Sequence, residues 1–216
     1  KHVSNEQLQW WVSNFNLPFE ILGTLAFAFS GLIEAARKKL DIVGMAMVTA
    51  VAAFGGGTLR DILLNRTPLF WIANDWWIWA ILIICGLAMI FFRARHLEFT
   101  ERAMQWPDAI GLGVFASGGT MIALQAGTSA IVAVIMGVIT AIFGSVMRDV
   151  FTNQVPRAFT DHQPYASVAF LGCWVVVFAH WLALPAAIAV TVGAVVTISI
   201  RLAVIIFGWR VPSWRV

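Results

Sequence analysis

The sequence predicts an all-α integral membrane protein whose seven transmembrane helices form an inverted 3+3 repeat followed by a C-terminal seventh helix. Three observations predict this fold. Of the 216 residues, 60% are hydrophobic and only 12% are charged, and the mean hydropathy is +0.84, which is unlike the composition of soluble domains. The apolar residues form runs of the roughly 20 residues that cross about 30 Å of hydrocarbon. A pattern in the first half of the chain also recurs 88 residues later.

Charged and helix-breaking residues separate the apolar runs and give each predicted span its limits. The first span ends at a basic cluster, residues 37–39, and the third lies between tryptophans and arginines. One uncharged stretch is too long for a single span and divides at residues 125–129, and another divides at Pro185. The seven predicted spans are residues 20–40, 43–64, 76–92, 108–126, 130–151, 165–184 and 186–207.

The internal repeat predicts how the spans are grouped. Each copy holds three spans, and this odd number makes the second copy enter the membrane in the opposite direction, as in many transport proteins. The chain then divides into an N-terminal extracytoplasmic segment, a first repeat, a second and inverted repeat, and a seventh helix with a short cytoplasmic tail, at residues 1–18, 19–95, 107–184 and 185–216. The identical pairs at the offset of 88 include Gly23/Gly111, Phe27/Phe115, Ala28/Ala116, Gly31/Gly119, Gly56/Gly144, Arg60/Arg148, Asp61/Asp149, Asn65/Asn153 and Pro68/Pro156.

The basic residues predict the orientation, because cytoplasmic loops of membrane proteins are rich in lysine and arginine. With the N-terminus outside, only Lys1 and Arg66 lie on the outer side. The cytoplasmic side then holds Arg37, Lys38, Lys39, Arg93, Arg95, Arg102, Arg157, Arg210 and Arg215. We therefore expect a multi-pass protein of the cell (inner) membrane with an outer N-terminus and a cytoplasmic C-terminus.

Three successive glycines, Gly55, Gly56 and Gly57, stand late in the second predicted span. Glycine weakens a helix, so the run predicts a kink or an unwound turn that lines a cavity. Close helix packing through small residues is the alternative interpretation. The fifth span has Gly144 and Ser145 at the matching place, which predicts a milder break. Other small or hydroxyl-bearing positions are possible pore-lining residues: Ser30, Thr58, Ser117, Gly118, Gly119 and Thr120.

An Arg-Asp pair follows each glycine site, and such charges cost roughly 3 kcal/mol each on insertion scales. Arg60 and Asp61 end the second span, and Arg148 and Asp149 end the fifth. Adjacent residues point to different sides of a helix, so we expect each residue of a pair to find a different partner. Each pair lies about 25 Å along its span. Inverted copies would place the first pair at the outer mouth and the second pair at the inner mouth of one water-filled path. The alternative hypothesis is that both pairs form ion pairs with a purely structural role.

Several function classes find no support in the sequence. The chain has no constellation for nucleophilic catalysis, no spacing typical of metal ligands and no phosphate-binding loop, so we expect neither an enzyme nor a bound metal or cofactor. The basic residues lie at span ends instead of forming a stripe with aromatic residues, so nucleic acid is not an expected partner. Membrane lipid is the expected surrounding.

The two motifs together resemble a known family. FGGGTLRD with Asn65 and Pro68, and FGSVMRDV with Asn153 and Pro156, are similar to the trimeric intracellular cation channels in their prokaryotic branch, and the resemblance covers about residues 19–207. It implies a homotrimer in which every subunit has its own pore for monovalent cations, potassium or sodium with a preference for potassium. The pore would lie between the second and fifth helices, kinked at the glycine sites.

Two other functions stay open. Inverted repeats with broken helices also occur in secondary transporters, so a carrier for a small solute such as an amino acid is the main alternative. A non-conducting scaffold is the weakest hypothesis, because it leaves the paired intramembrane charges without a purpose.

Overall fold

A computed structural model describes the backbone of residues 5–95, 100–160 and 163–210 and the side chains of 17–91, 100–159 and 163–210. Within these ranges all regular structure is helical, which confirms the all-α prediction. The helices are α1 (Asn5–Arg37), α2 (Ile42–Leu63), α3 (Phe70–Ala73), α4 (Trp76–Arg95), α5 (Glu101–Gln125), α6 (Ala130–Phe151), α7 (Arg157–Thr160), α8 (Ala166–Trp181) and α9 (Ala186–Phe207).

Five of the described helices contain segments long and apolar enough to cross a membrane, as expected of a helical membrane protein. These segments are Leu17–Arg37, Ile42–Leu63, Glu101–Gln125, Ala130–Phe151 and Ala186–Phe207. Trp76–Phe91 and Ala166–Trp181 are apolar but shorter. The total of seven spans therefore stays a prediction.

Two helices begin earlier than their predicted spans. Helix α1 starts at Asn5 and continues through Pro18, and the extracytoplasmic placement of the segment 1–18 stays a prediction. Helix α5 starts at Glu101, where the hydroxyl of Thr100 accepts a hydrogen bond from the backbone N–H of Ala103. Hydropathy predicts where lipid begins, and a helix can extend beyond that point.

The duplication is visible in the backbone. Helices α2 and α6 begin and end at positions separated by the same 88 residues. Asn65 and Asn153, which follow them, have left-handed backbone angles of 52° and 55° in φ, a conformation that asparagine tolerates better than most residues. The two copies therefore share their turns as well as their helices.

The copies pack against each other through matching residues. Helix α5 lies at the centre and contacts α1, α6 and α9. The rings of Phe27 and Phe115 are 5.4 Å apart between centroids. A Cβ atom at Gly23 would lie 2.6 Å from the Phe115 ring, and one at Gly111 would lie 2.9 Å from the Phe27 ring. Such reciprocal contacts are the ones expected of an inverted repeat, and the inversion stays a prediction.

Candidate functional site

Helices α2 and α6 cross in direct backbone contact. A Cβ atom at Gly56 would collide with the carbonyl oxygen of Thr140, and one at Gly144 would collide with that of Ala52. Thr140 and Ala52 are themselves related by the offset of 88, so the contact is reciprocal. The sequence needs glycine at both places because no side chain fits between the helices.

The glycine run in α2 does not unwind the helix. Helix α2 is continuous from Ile42 to Leu63, so the expectation of an unwound turn is wrong, and the expectation of close packing through small residues describes what is found. Gly57 faces the ring of Phe70, and Gly55 faces Gly144. The helix stays intact because each glycine is held against a neighbour. A kink at these residues, and at Gly144 and Ser145, stays a prediction.

Arg60 is buried in a first charged cluster, held from two sides. Its Nη2 donates to Oε1 of Glu20 on α1 at 3.0 Å, and its Nε donates to Oδ1 of Asp61 at 2.8 Å. Arg66 also donates to Asp61 at 3.3 Å. We expected Arg60 and Asp61 to have different partners, and this was wrong in part. The long side chain of Arg60 turns back to Asp61, although each of the two also has a second partner.

Arg148 is buried in a second and denser cluster. Its Nη1 donates to Oδ1 of Asp108 on α5 at 2.6 Å and to the hydroxyl of Ser30 on α1, and its Nε donates to Asp149 at 2.9 Å. The hydroxyl of Tyr165 donates to Oδ2 of Asp108 at 2.7 Å. It lies 3.0 Å from the hydroxyl of Ser145, which joins this second glycine site to the cluster.

The second cluster extends to a buried carboxylate, Glu34, whose side chain has no exposed surface. Arg37 pairs with Glu34, and the side-chain amide of Gln154 donates to it at 3.0 Å. The backbone N–H of Arg157 donates to Oδ2 of Asp149 at 3.0 Å, and its guanidinium lies 3.7 Å from Glu34. This end of the molecule is therefore held by an ionic network.

In the first copy, the short helix that follows α2 packs on it through aromatic side chains. Trp71 of α3 stacks on Phe54 with 5.8 Å between ring centroids, and its indole N–H donates to the hydroxyl of Thr58 at 2.9 Å. Phe70 packs edge-on against Phe54. The short helices α3 and α7 thus follow equivalent motifs but differ in chemistry.

The structure brings some of the possible pore-lining residues to the charged clusters and leaves others apart. Ser30 belongs to the Arg148 cluster, and Gly118 shares a small cavity with Arg60 and Glu20. The Thr120 hydroxyl donates to the carbonyl of Ala116 at 2.8 Å within α5. Two more residues lie at helix contacts: Gly119 faces Thr140, and Ser117 faces Gly193 of α9. Thr58 accepts the hydrogen bond from Trp71.

Glu20 and Asp108 are the main site residues that sequence reasoning missed. They lie 88 residues apart, as Arg60 and Arg148 do, so the same offset could have identified them. Both stand near the start of predicted spans, where a carboxylate is easily taken for a boundary residue. Within the described residues no ion pair joins the two Arg-Asp motifs, and no group of His, Cys, Asp and Glu could hold a metal ion.

Comparison with known proteins gives consistent results. A family described as glycine transporter matches residues 17–94 and again 105–181, which confirms the duplication. A UPF0126 membrane protein of Vibrio cholerae is 35% identical over 90% of this chain and 81% of its own length. The UPF0126 inner membrane protein YadS of Escherichia coli is 32% identical over 90% of this chain and 94% of its own length.

Solved structures agree in fold. A trimeric intracellular cation channel (TRIC) orthologue from Rhodobacter sphaeroides has a TM-score of 0.82 and 32% identity, covering 90% of this chain and 98% of that one. A second structure, described under the words structural basis for conductance through TRIC cation channels, has a TM-score of 0.80 and 31% identity. The match covers 92% of this chain and 96% of that one. The fold and the paired sites define a duplicated, all-helical membrane protein. The chain belongs to the trimeric intracellular cation channel family, in its prokaryotic UPF0126 branch.

Proposed function

We propose that this protein is a monovalent cation channel that prefers potassium over sodium and works as a homotrimer with one pore in each subunit. The observation that carries this proposal is the crossing of α2 and α6 at Gly56 and Gly144, with a buried arginine cluster after each glycine site. The cation channels among the similar structures support the same function.

In the proposed topology seven helices cross the inner membrane, with the N-terminus outside and the C-terminus in the cytoplasm. The two repeats are residues 19–95 and 107–184, and the seventh helix and tail are 185–216. The reciprocal contacts between the copies support an inverted repeat, and the naming of the Escherichia coli relative as an inner membrane protein supports the location. Inversion would put the Arg60 cluster at the outer mouth and the Arg148 cluster at the inner mouth.

The carboxylates of the two clusters explain how a cation path can run beside arginines. Arg60 and Arg66 stand with Glu20 and Asp61, so formal charges of opposite sign are equal in number there. Around Arg148, the carboxylates of Asp108, Asp149 and Glu34 offset three arginines in the same way. Fixed charges that compensate each other can tune a pore without binding an ion so tightly that it cannot leave.

The glycine contact is the narrowest point of the proposed path. With Gly56 and Gly144 in backbone contact no ion passes between α2 and α6, so conduction requires these helices to separate or bend at residues 55–57 and 144–145. Gly118, Gly119, Thr120, Ser117, Ser30 and Thr58 are proposed to line the widened path. Such an opening exchanges one packed arrangement for another and is a population shift between two states.

Recording from the purified protein in a planar bilayer tests this proposal. We expect unitary current steps in symmetrical KCl and a reversal potential that favours K⁺ when NaCl replaces KCl on one side. Chemical cross-linking in native membranes should give a trimeric species. Neutralising Arg60 and Arg148 separately should change conductance or selectivity, and unchanged values in both variants would contradict the role of the two mouths.

A second candidate is a secondary transporter for glycine or a similar small solute, which the description of the matching family model favours. Uptake of labelled glycine into proteoliposomes separates the two functions. Saturable, slow uptake without unitary currents would support the transporter and contradict the channel.

A further inference from the structure

A small cavity lies beside Arg60. Its volume is about 10 Å³, close to the smallest space that holds one water molecule. Two polar side chains, Glu20 and Arg60, reach it, and the rest of its wall is formed by Phe19, Val114, Phe115, Gly118 and Ile122. The cavity is therefore an apolar space closed on one side by an ion pair.

The repeat shows how the surroundings of the two arginines differ at this place. Gly118 corresponds to Ser30 at the offset of 88, and the Ser30 hydroxyl accepts a hydrogen bond from Arg148. The same hydroxyl lies 3.3 Å from Asp108 and donates to it. Beside Arg60, Gly118 offers no side chain, and a Cβ atom added there would meet no atom within 4 Å.

The two arginines are consequently held to different degrees. Nη1 of Arg148 donates to both Asp108 and Ser30. Arg60 donates through Nε and Nη2 only, and its Nη1 makes no hydrogen bond to any residue whose side chain the structure describes. The partner carboxylates differ too, since the side chain of Glu20 is 16% exposed and that of Asp108 is 6% exposed.

We propose that the cavity at Gly118 is a binding site for one water molecule, which bonds to Arg60 and Glu20 in the place that the Ser30 hydroxyl takes at Arg148. The Gly118/Ser30 pair then determines which arginine moves first, and Arg60 is the more easily displaced. This inference rests on the proposed channel function, because it assigns the earlier opening to the Arg60 mouth. Water fits the site since it both donates to a carboxylate and accepts from a guanidinium, whereas a bare cation would face Arg60.

Exchanging the two residues tests this proposal. Gly118→Ser supplies the hydroxyl, and Gly118→Ala is the matched control that fills the same space without one. We expect Gly118→Ser to lower the open probability about tenfold, which is the size of effect expected for a hydrogen bond to a charged group. Gly118→Ala, whose methyl group fills the space of the water without replacing its hydrogen bonds, should not lower the open probability. Ser30→Gly should raise the open probability, but less than Ser30→Ala does, because only glycine leaves room for a water molecule beside Arg148. The double exchange should return it toward the wild-type value.

Equal effects of Gly118→Ser and Gly118→Ala, or no effect of Ser30→Gly, would overturn the proposal while leaving the channel itself intact. Absence of unitary currents from the wild type would instead overturn the proposed function. The water site is then judged by thermal unfolding in detergent, where Gly118→Ser should unfold at a higher temperature than Gly118→Ala only if the hydroxyl reaches Arg60. Matching unfolding temperatures would overturn it.

Discussion

Glu20 and Asp108 occupy equivalent positions in the two halves of the chain, and each pairs with the arginine of its own half. The separation from carboxylate to arginine is 40 residues in both cases. Each pair joins the first helix of a copy to its second helix, α1 to α2 and α5 to α6. The paired charges therefore fix the helix arrangement inside each copy, and the glycine contacts fix the arrangement between copies.

Removing Arg148 should destabilise the protein more than removing Arg60. Arg148→Met leaves Asp108 and Asp149 buried without their partner, which typically costs about 3–5 kcal/mol. Arg60→Met should cost less, because Glu20 is partly exposed and can be hydrated. Thermal unfolding in detergent measures both. Adding Asp108→Asn to Arg148→Met should recover part of the loss, and a double variant less stable than Arg148→Met alone would contradict the pairing.

Adjacent glycines of α2 should respond differently to alanine. Gly56→Ala forces a methyl group into the carbonyl of Thr140, and overpacking of this kind costs about 1–3 kcal/mol. Gly55→Ala is the matched control, since its Cβ would lie 3.5 Å from Gly144, an ordinary contact. We expect a lower unfolding temperature and reduced current for Gly56→Ala only. Equal losses in the two variants would mean that helix flexibility, not close contact, requires these glycines.

The hydroxyl and the ring of Tyr165 have separable roles. Tyr165→Phe removes the donor to Asp108 and should cost about 1–3 kcal/mol of stability. It keeps the ring, over which the Arg201 guanidinium lies at 4.9 Å from the centroid. Tyr165→Leu removes both interactions and should cost at least 0.5 kcal/mol more, roughly the value of an exposed cation–π contact. A phenylalanine variant as stable as the wild type would show that the bond to Asp108 contributes nothing.

Cysteine labelling in intact cells checks the proposed orientation. The two cysteines of the described chain, Cys85 and Cys173, are free and buried, so they are first replaced by alanine. A cysteine at the exposed Asn74 should react with a membrane-impermeant maleimide, whereas one at the exposed Lys38 should react only after the cells are broken. The reverse pattern would place the N-terminus in the cytoplasm.

Hydropathy and the repeat were sufficient to locate most helices. The predicted spans 130–151 and 186–207 coincide with α6 and α9, and 43–64 is one residue from α2 at each end. Each of these helices is apolar over most of its length, so the predicted span and the helix have nearly the same limits. The short helices α3 and α7 were not predicted, because four residues carry no periodic signal. The unwound turn was predicted wrongly because glycine weakens an isolated helix but also permits close packing.

The partners of the buried charges could not be predicted from local spacing. Arg148 meets Asp108 and Ser30, which lie 40 and 118 residues away along the chain. Only the relative placement of α1, α5 and α6 brings these groups together. The local pair of Glu34 and Arg37, three residues apart, was predictable and is found. Sequence spacing therefore predicts contacts within one helix, whereas contacts between helices depend on the tertiary packing.

The reciprocal contacts of Gly56 and Gly144 have the form that two identical chains adopt in a symmetric dimer, where one residue touches a second on the partner and the second touches the first. In an ancestral dimer of this form, one glycine position would have made both contacts. One further position, serine or glycine, would have stood beside both arginines. Joining the two halves in one polypeptide would release them from this identity. Each half could then change independently. Arg148 has Ser30 as its neighbour whereas Arg60 has Gly118, and a symmetric dimer of identical chains cannot contain such a difference.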